Sequence, residues 1–185
     1  MRIIAIVGSV RRGNTYAMVE AACHALKDSE VEFVHLKDTE IKLCDGCLTC
    51  DKTGKCHIKD AMTDLLPRIK AADGFIFGTP ARWSLLSGEL KVFFDRLNPL
   101  ALPQGLKGKK AVIFSVGQTE GEEAQSIRLA ARSVKYFCDN AGVEVVDTVL
   151  AEGCLEPDKV ISRHKDILEK CKKAGLKLAR KVSKC

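Results

Sequence analysis

The chain has 185 residues, of which 46% are hydrophobic and 29% charged, and carries a formal net charge of +6 at pH 7. That balance fits one soluble globular domain, residues 1–185, and excludes a disordered or low-complexity chain; no run of 18 apolar residues suggests a membrane span. MRIIAIVGSV has too short an apolar core and no small-residue cleavage site for a secretory signal, so a cytoplasmic location is expected, where nine cysteines point to metal or redox chemistry rather than disulfides.

In chain order, RIIAIVG (2–8) is an unbroken apolar run closed by glycine, which predicts a strand buried on both faces. A helix follows, capped by Asn14 or Thr15, with Met18, Ala21, Ala22, Ala25 and Leu26 at helical spacing. VEFVHL (31–36) predicts a second strand, a cysteine-rich loop (43–58) comes next, and 61–72 reads as a helix interrupted by Pro67. GFIFGTP (74–80), KKAVIFSVG (109–117) and VEVVDTVL (143–150) predict three more strands, separated by helices over 88–97 and roughly 122–140. A last helix spans about 157–184, with Ile161, Leu168, Cys171, Leu178 and Val182 on one stripe. Strands alternating with helices imply a doubly wound α/β fold around a parallel sheet.

Ligands of such sheets bind outside the carboxyl ends of the strands, at the point where the strand order reverses. Three turns therefore matter: GSVRRGNT (8–15), GTPARWS (78–84) and SVGQTEG (115–121). The first sets backbone N–H groups and a helix N-terminus beside Ser9, Arg11, Asn14 and Thr15, a combination suited to a phosphate monoester. An ordinary capped turn with solvated arginines is the competing reading. The loop is neither G-x-G-x-x-G nor a P-loop. In the other two turns Trp83 could face a planar ring, while Gly78 and Gly117 permit close backbone approach.

GSVRRGNT, GTPARWSLLSGELKVFFDRL and SVGQTEGEE, each after its strand, resemble the NADPH-dependent FMN reductase branch of the flavodoxin-like superfamily, over residues 1 to about 150. The resemblance implies a five-stranded parallel sheet of order 2-1-3-4-5 that binds FMN. It implies that Ser9, Arg11, Gly13, Asn14 and Thr15 hold the phosphate, and that Pro80, Ala81, Arg82, Trp83, Gly117 and Gln118 border the flavin ring. Many members carry Tyr where this chain has Arg82.

The motif C-x2-C-x2-C-x5-C places Cys44, Cys47, Cys50 and Cys56 on the loop after the second strand, with Gly46 and Gly54 at its turns. Short gaps of this kind let successive thiolates wrap one iron–sulfur cluster. Zinc, which favours two well-separated cysteine pairs, uncommitted thiols, and a reactive thiol pair activated by Lys52 and Lys55 are the alternatives. Within the family the motif resembles the iron–sulfur flavoproteins, implying FMN and one [4Fe–4S] cluster per chain, assembly as a homodimer or homotetramer, and ferredoxin as electron donor. Ten Lys or Arg against two Asp or Glu over 159–185 give either a solvated helix face or a docking surface for such an acidic carrier. No nucleic-acid motif is present. The expected function is electron transfer by an iron–sulfur flavoprotein, reducing oxygen, peroxide or quinones. The alternatives are an NAD(P)H-dependent flavin or quinone reductase with uncommitted cysteines, and a zinc- or FMN-binding interaction module.

Overall fold

A computed structural model describes residues 1–101, 104–154 and 165–183. Strands β1 (Arg2–Val7), β2 (Glu30–His35), β3 (Gly74–Pro80), β4 (Lys110–Val116) and β5 (Glu144–Ala151) form one all-parallel sheet of order β2-β1-β3-β4-β5. This is the flavodoxin-like order expected from the sequence. Helices α1 (Asn14–His24), α2 (Thr49–Thr53), α3 (Met62–Ala71), α4 (Gly88–Asp95), α5 (Asn98–Ala101), α6 (Gln125–Ala141) and α7 (Lys165–Val182) connect or flank the strands.

Strand side chains alternate between two cores, because successive residues point to opposite faces of a sheet. Ile3, Ala5 and Val7 of β1 face Met18, Val19 and Ala22 of α1 together with Cys171 and Leu178 of α7. Ile4 and Ile6 face the other way, into a core of Leu65 and Ile69 of α3, Phe93 and Phe94 of α4, and Val134 and Cys138 of α6. The central strands β3 and β4 are covered on both sides, which explains their unbroken apolar runs. The α7 stripe behaves as expected: Cys171 and Leu178 are buried and Leu168 and Val182 pack beside them, while Ile161 lies outside the described residues.

Three features differ from the sequence reading. The cap of α1 is Gly13, whose carbonyl accepts from Ala17 N at 3.0 Å; Asn14 and Thr15 are its first two helical residues and both are buried. Pro67 sits inside an uninterrupted α3, where Arg68 Nε donates to the Asp64 carbonyl at 3.1 Å. The third concerns two glycines: instead of opening room for a ligand alone, they admit helices. A Cβ on Gly78 would come within 2.5 Å of Val19 Cγ2 and 3.0 Å of Thr15 Cγ2 in α1; one on Gly117 would meet Ile127 of α6 at 2.7 Å.

Gly78→Ala should therefore push α1 off β3. We expect a loss of about 1–3 kcal/mol in stability, the usual cost of overpacking a filled core, measured as a lower urea midpoint with unchanged slope.

Candidate functional site

The carboxyl ends of β1, β3, β4 and β5 border an open cavity of about 220 Å3. Ser9, Arg11, Gly13, Asn14, Thr15, Pro80, Ala81, Arg82, Gly117 and Gln118 all line it. Trp83 does not. Residues Arg82 to Leu85 form a tight hairpin, with Arg82 N donating to Leu85 O and Leu85 N to Arg82 O, both at 2.9 Å. Its two central residues, Trp83 and Ser84, have φ of 48° and 63°, and the Trp83 side chain at the tip is 99% exposed.

The rim is held by hydrogen bonds that continue the sheet past its strands: Gly8 N donates to Gly78 O, Ala81 N to Val116 O and Gly117 N to Ala151 O. At the first loop, α1 has no side-chain cap, so its N-terminus opens beside Ser9, whose hydroxyl donates to Arg11 O at 2.8 Å. A helix N-terminus with adjacent hydroxyls and an arginine offers donors and positive charge of the kind an anion uses. Two supports of this loop have no motif in the sequence. Buried His35, at the end of β2, hydrogen-bonds Ser9 O through Nε2 at 2.6 Å and Asp38 through Nδ1 at 3.2 Å. The Arg12 guanidinium, with His35, holds the Asp38 carboxyl below its usual range. Ser87 caps α4 and donates to the Gly8 carbonyl.

The cavity also includes Val10, Val116, Thr119, Ser126 and Cys154. Thr119 lies in a loop singled out from the sequence, and Cys154 could have been found from the strand-end rule, since it follows β5. Cys154 N donates to Gly117 O at 2.9 Å and Gly153 N to Thr119 O at 3.0 Å, so this segment buttresses the β4 loop.

Cys44, Cys47, Cys50 and Cys56 border a second, small hollow together with Arg96, Asn98 and Pro99. All four are free thiols. Gly46 and Gly54 take left-handed conformations, φ 71° and 65°, as turns there require; Leu48, with φ 57°, is a third left-handed residue that glycine spacing does not reveal. Burial and the Asp51 carboxylate push the Cys50 thiol up. Donor atoms of Asp45, Cys47 and His57 lie within 4.8 Å of one another, with Asp45 and His57 paired at 2.8 Å.

Both ends of this loop are tied to one buried ion pair. Arg96, just beyond α4, donates to Lys42 O at 2.7 Å, to Ile58 O at 3.3 Å and to both oxygens of Asp60, and both side chains are 1% exposed. Asp60 also accepts from Lys42 N at 2.8 Å and from Met62 N at 2.9 Å, at the start of α3. Burial works to raise the Asp60 carboxyl, and bonds from Arg96, Lys42 and Met62 outweigh it and hold it below the usual range. Elsewhere, burial pushes Cys23, Cys138 and Cys171 up to about 12; they pack as small apolar groups.

Sheet order and the helices on both faces together define a flavodoxin-like α/β protein. The chain belongs to the NADPH-dependent FMN reductase family, whose sequence profile matches residues 1–152. An iron–sulfur flavoprotein of Methanocaldococcus jannaschii is 38% identical over 120 residues, covering 63% of this chain and 62% of that protein. One from Archaeoglobus fulgidus is 36% identical, covering 66% of this chain and 58% of its own length, so this chain spans about six-tenths of these relatives. Among solved structures, an NAD(P)H:quinone oxidoreductase from Methanothermobacter marburgensis superposes with a TM-score of 0.75 at 21% identity, over 95% of this chain and 94% of that one. Among the described residues, no helix is long and apolar enough to cross a membrane.

Asp60→Asn should cost about 3–5 kcal/mol at neutral pH, because it leaves the Arg96 charge buried without its partner. The sign with pH follows from the lowered carboxyl: the wild-type contribution is present above the ordinary aspartate range and is lost as pH falls through the lower folded value. Urea titrations at pH 7 and below pH ~3 should show the gap between wild type and variant narrowing in acid.

Proposed function

We propose that the chain is an iron–sulfur flavoprotein: a flavin-dependent oxidoreductase that holds FMN in the strand-end cavity and a [4Fe–4S] cluster on Cys44, Cys47, Cys50 and Cys56. The observation that carries this reading is the pairing in one chain of a phosphate-type cavity with four free cysteines bordering a single hollow. The names of its iron–sulfur flavoprotein relatives agree with it.

The residues fit both groups. Ser9, Arg11, Gly13, Asn14 and Thr15, with the amides of the first turn of α1, offer donors and positive charge for a phosphate. Pro80, Ala81, Arg82, Gly117 and Gln118 supply the opposite wall, where a planar ring would rest; Trp83, turned out at its hairpin tip, has no part in this wall. Four thiols on one loop that turns at left-handed Gly46, Leu48 and Gly54 are the ligand chemistry an iron–sulfur cluster uses. A structural zinc site favours two well-separated cysteine pairs, and the overlapping C-x2-C-x2-C spacing of this loop is not that pattern.

When bound, FMN supplies one- or two-electron chemistry and the cluster single-electron exchange. The protein's part is to anchor the phosphate, hold the ring against β3 and β4, keep the thiolates in place through Arg96 and Asp60, and limit solvent access. Ferredoxin is the proposed donor and oxygen, peroxide or a quinone the proposed acceptor. A homodimer or homotetramer is part of this reading. The groove formed by Leu85, Leu86, Phe94, Tyr136 and Phe137 supports it, since Leu85 is 59% and Tyr136 72% exposed. The family description favours a second reading, direct reduction by NADPH.

Three measurements separate these. Ser9→Ala and Asn14→Ala should each weaken FMN retention about tenfold, the usual loss of a hydrogen bond to a charged group, with the fold intact. Cys47→Ala should lose iron and the broad visible absorbance yet keep FMN; loss of both, or of neither, would overturn the assignment of two independent sites. In anaerobic stopped flow, reduced ferredoxin should reduce FMN rapidly in wild type and slowly in Cys47→Ala. Fast reduction by NADPH, equal in both proteins, supports the second reading instead.

A further inference from the structure

The Arg96 guanidinium is the largest fully buried side chain, and its bonds to Lys42 O, Ile58 O and Asp60 use only its terminal nitrogens. Its Nε–H is the one buried side-chain polar atom without a hydrogen-bond partner among the described residues. A buried donor of this kind is expected to have an acceptor. The same side chain lines the hollow of the four cysteines. Cys56 lines that hollow beside it. Cys56 lies two residues before Ile58, whose carbonyl Arg96 already holds. Backbone position, unused donor and sulfur therefore converge.

Resting on the cluster reading above, we propose that Arg96 Nε–H donates a hydrogen bond to the Cys56 thiolate of the loaded loop, making Arg96 a positioning residue that fixes the fourth ligand and raises the cluster's reduction potential. The direction follows from charge. Adding one electron makes the cluster more negative, and an N–H donor that withdraws density from a ligating sulfur stabilises that reduced state more than the oxidised one. Lysine in this place keeps a cation for Asp60 but has no donor at the Nε position, and its flexible point charge does not reproduce the planar fork.

The test begins with wild-type protein reconstituted anaerobically with iron and sulfide, its arginines labelled with 15N at Nε. After one-electron reduction with dithionite, pulsed EPR on the cluster should detect a coupled 15N nucleus. Arg96→Lys should lose that coupling and show a cluster midpoint lowered by about 59 mV, a tenfold change in a one-electron equilibrium, with iron content and FMN midpoint unchanged. A wild type that takes up no iron and sulfide overturns both this assignment and the cluster reading. A fully loaded wild type without 15N coupling overturns the Arg96 assignment alone, and this arm decides even where Arg96→Lys does not fold. An unchanged cluster midpoint in fully loaded Arg96→Lys overturns the effect on potential.

Discussion

Every strand of the sheet runs in the same direction, and the rest of the molecule follows from that constraint. Parallel neighbours must be joined by crossover helices, so all the strand-to-helix turns open at one edge. The backbone ladder does not stop where the strands do: bonds from Gly8 to Gly78, Ala81 to Val116 and Gly117 to Ala151 stitch four turns in spatial order. The cavity wall is thus an extension of the sheet, made of loops with strand-like support. His35 and Ser87, reaching Ser9 and Gly8 from β2 and from the start of α4, fix the turn that leads into α1.

The cysteine loop lies outside this ladder, and electrostatics replaces it there. A buried ion pair is weak evidence of net stability, because desolvation offsets attraction, yet it specifies geometry strongly where each remaining donor and acceptor is used. Arg96 and Asp60 meet that condition at every group but Arg96 Nε: between them they bind Lys42, Ile58 and Met62 as well as each other. One contact therefore sets the start of α3, the end of α4 and both flanks of the loop.

Much of this was legible in the sequence because it depends on periodicity and on residue type at a turn. Apolar runs gave the strands, their alternation with helices gave the layers, and ten of the eleven residues expected around the flavin line one cavity. What escaped was set by contacts between distant segments. Trp83 reads as a ring platform by composition, but a two-residue turn with both φ values positive sends it outward. Gly78 reads as a point of close backbone approach, and what the sequence does not reveal is that α1 is the element that approaches it. Asn14 reads as a cap by identity, while the backbone of Gly13 takes that position. Arg96 sits in an amphipathic helix pattern where an arginine is ordinarily solvent-facing; only the fold reveals that Asp60 waits for it inside.

Pinning Lys42 and Ile58 to one guanidinium also bears on how such a loop is filled. Bringing together the ends of a free segment of roughly fifteen residues costs about 2 kcal/mol in chain entropy. Here folding has already met that cost, so on the proposed cluster reading iron and sulfide arriving at the loop need order only the residues between two fixed posts. On that reading, cluster assembly is confined to the stretch between Lys42 and Ile58.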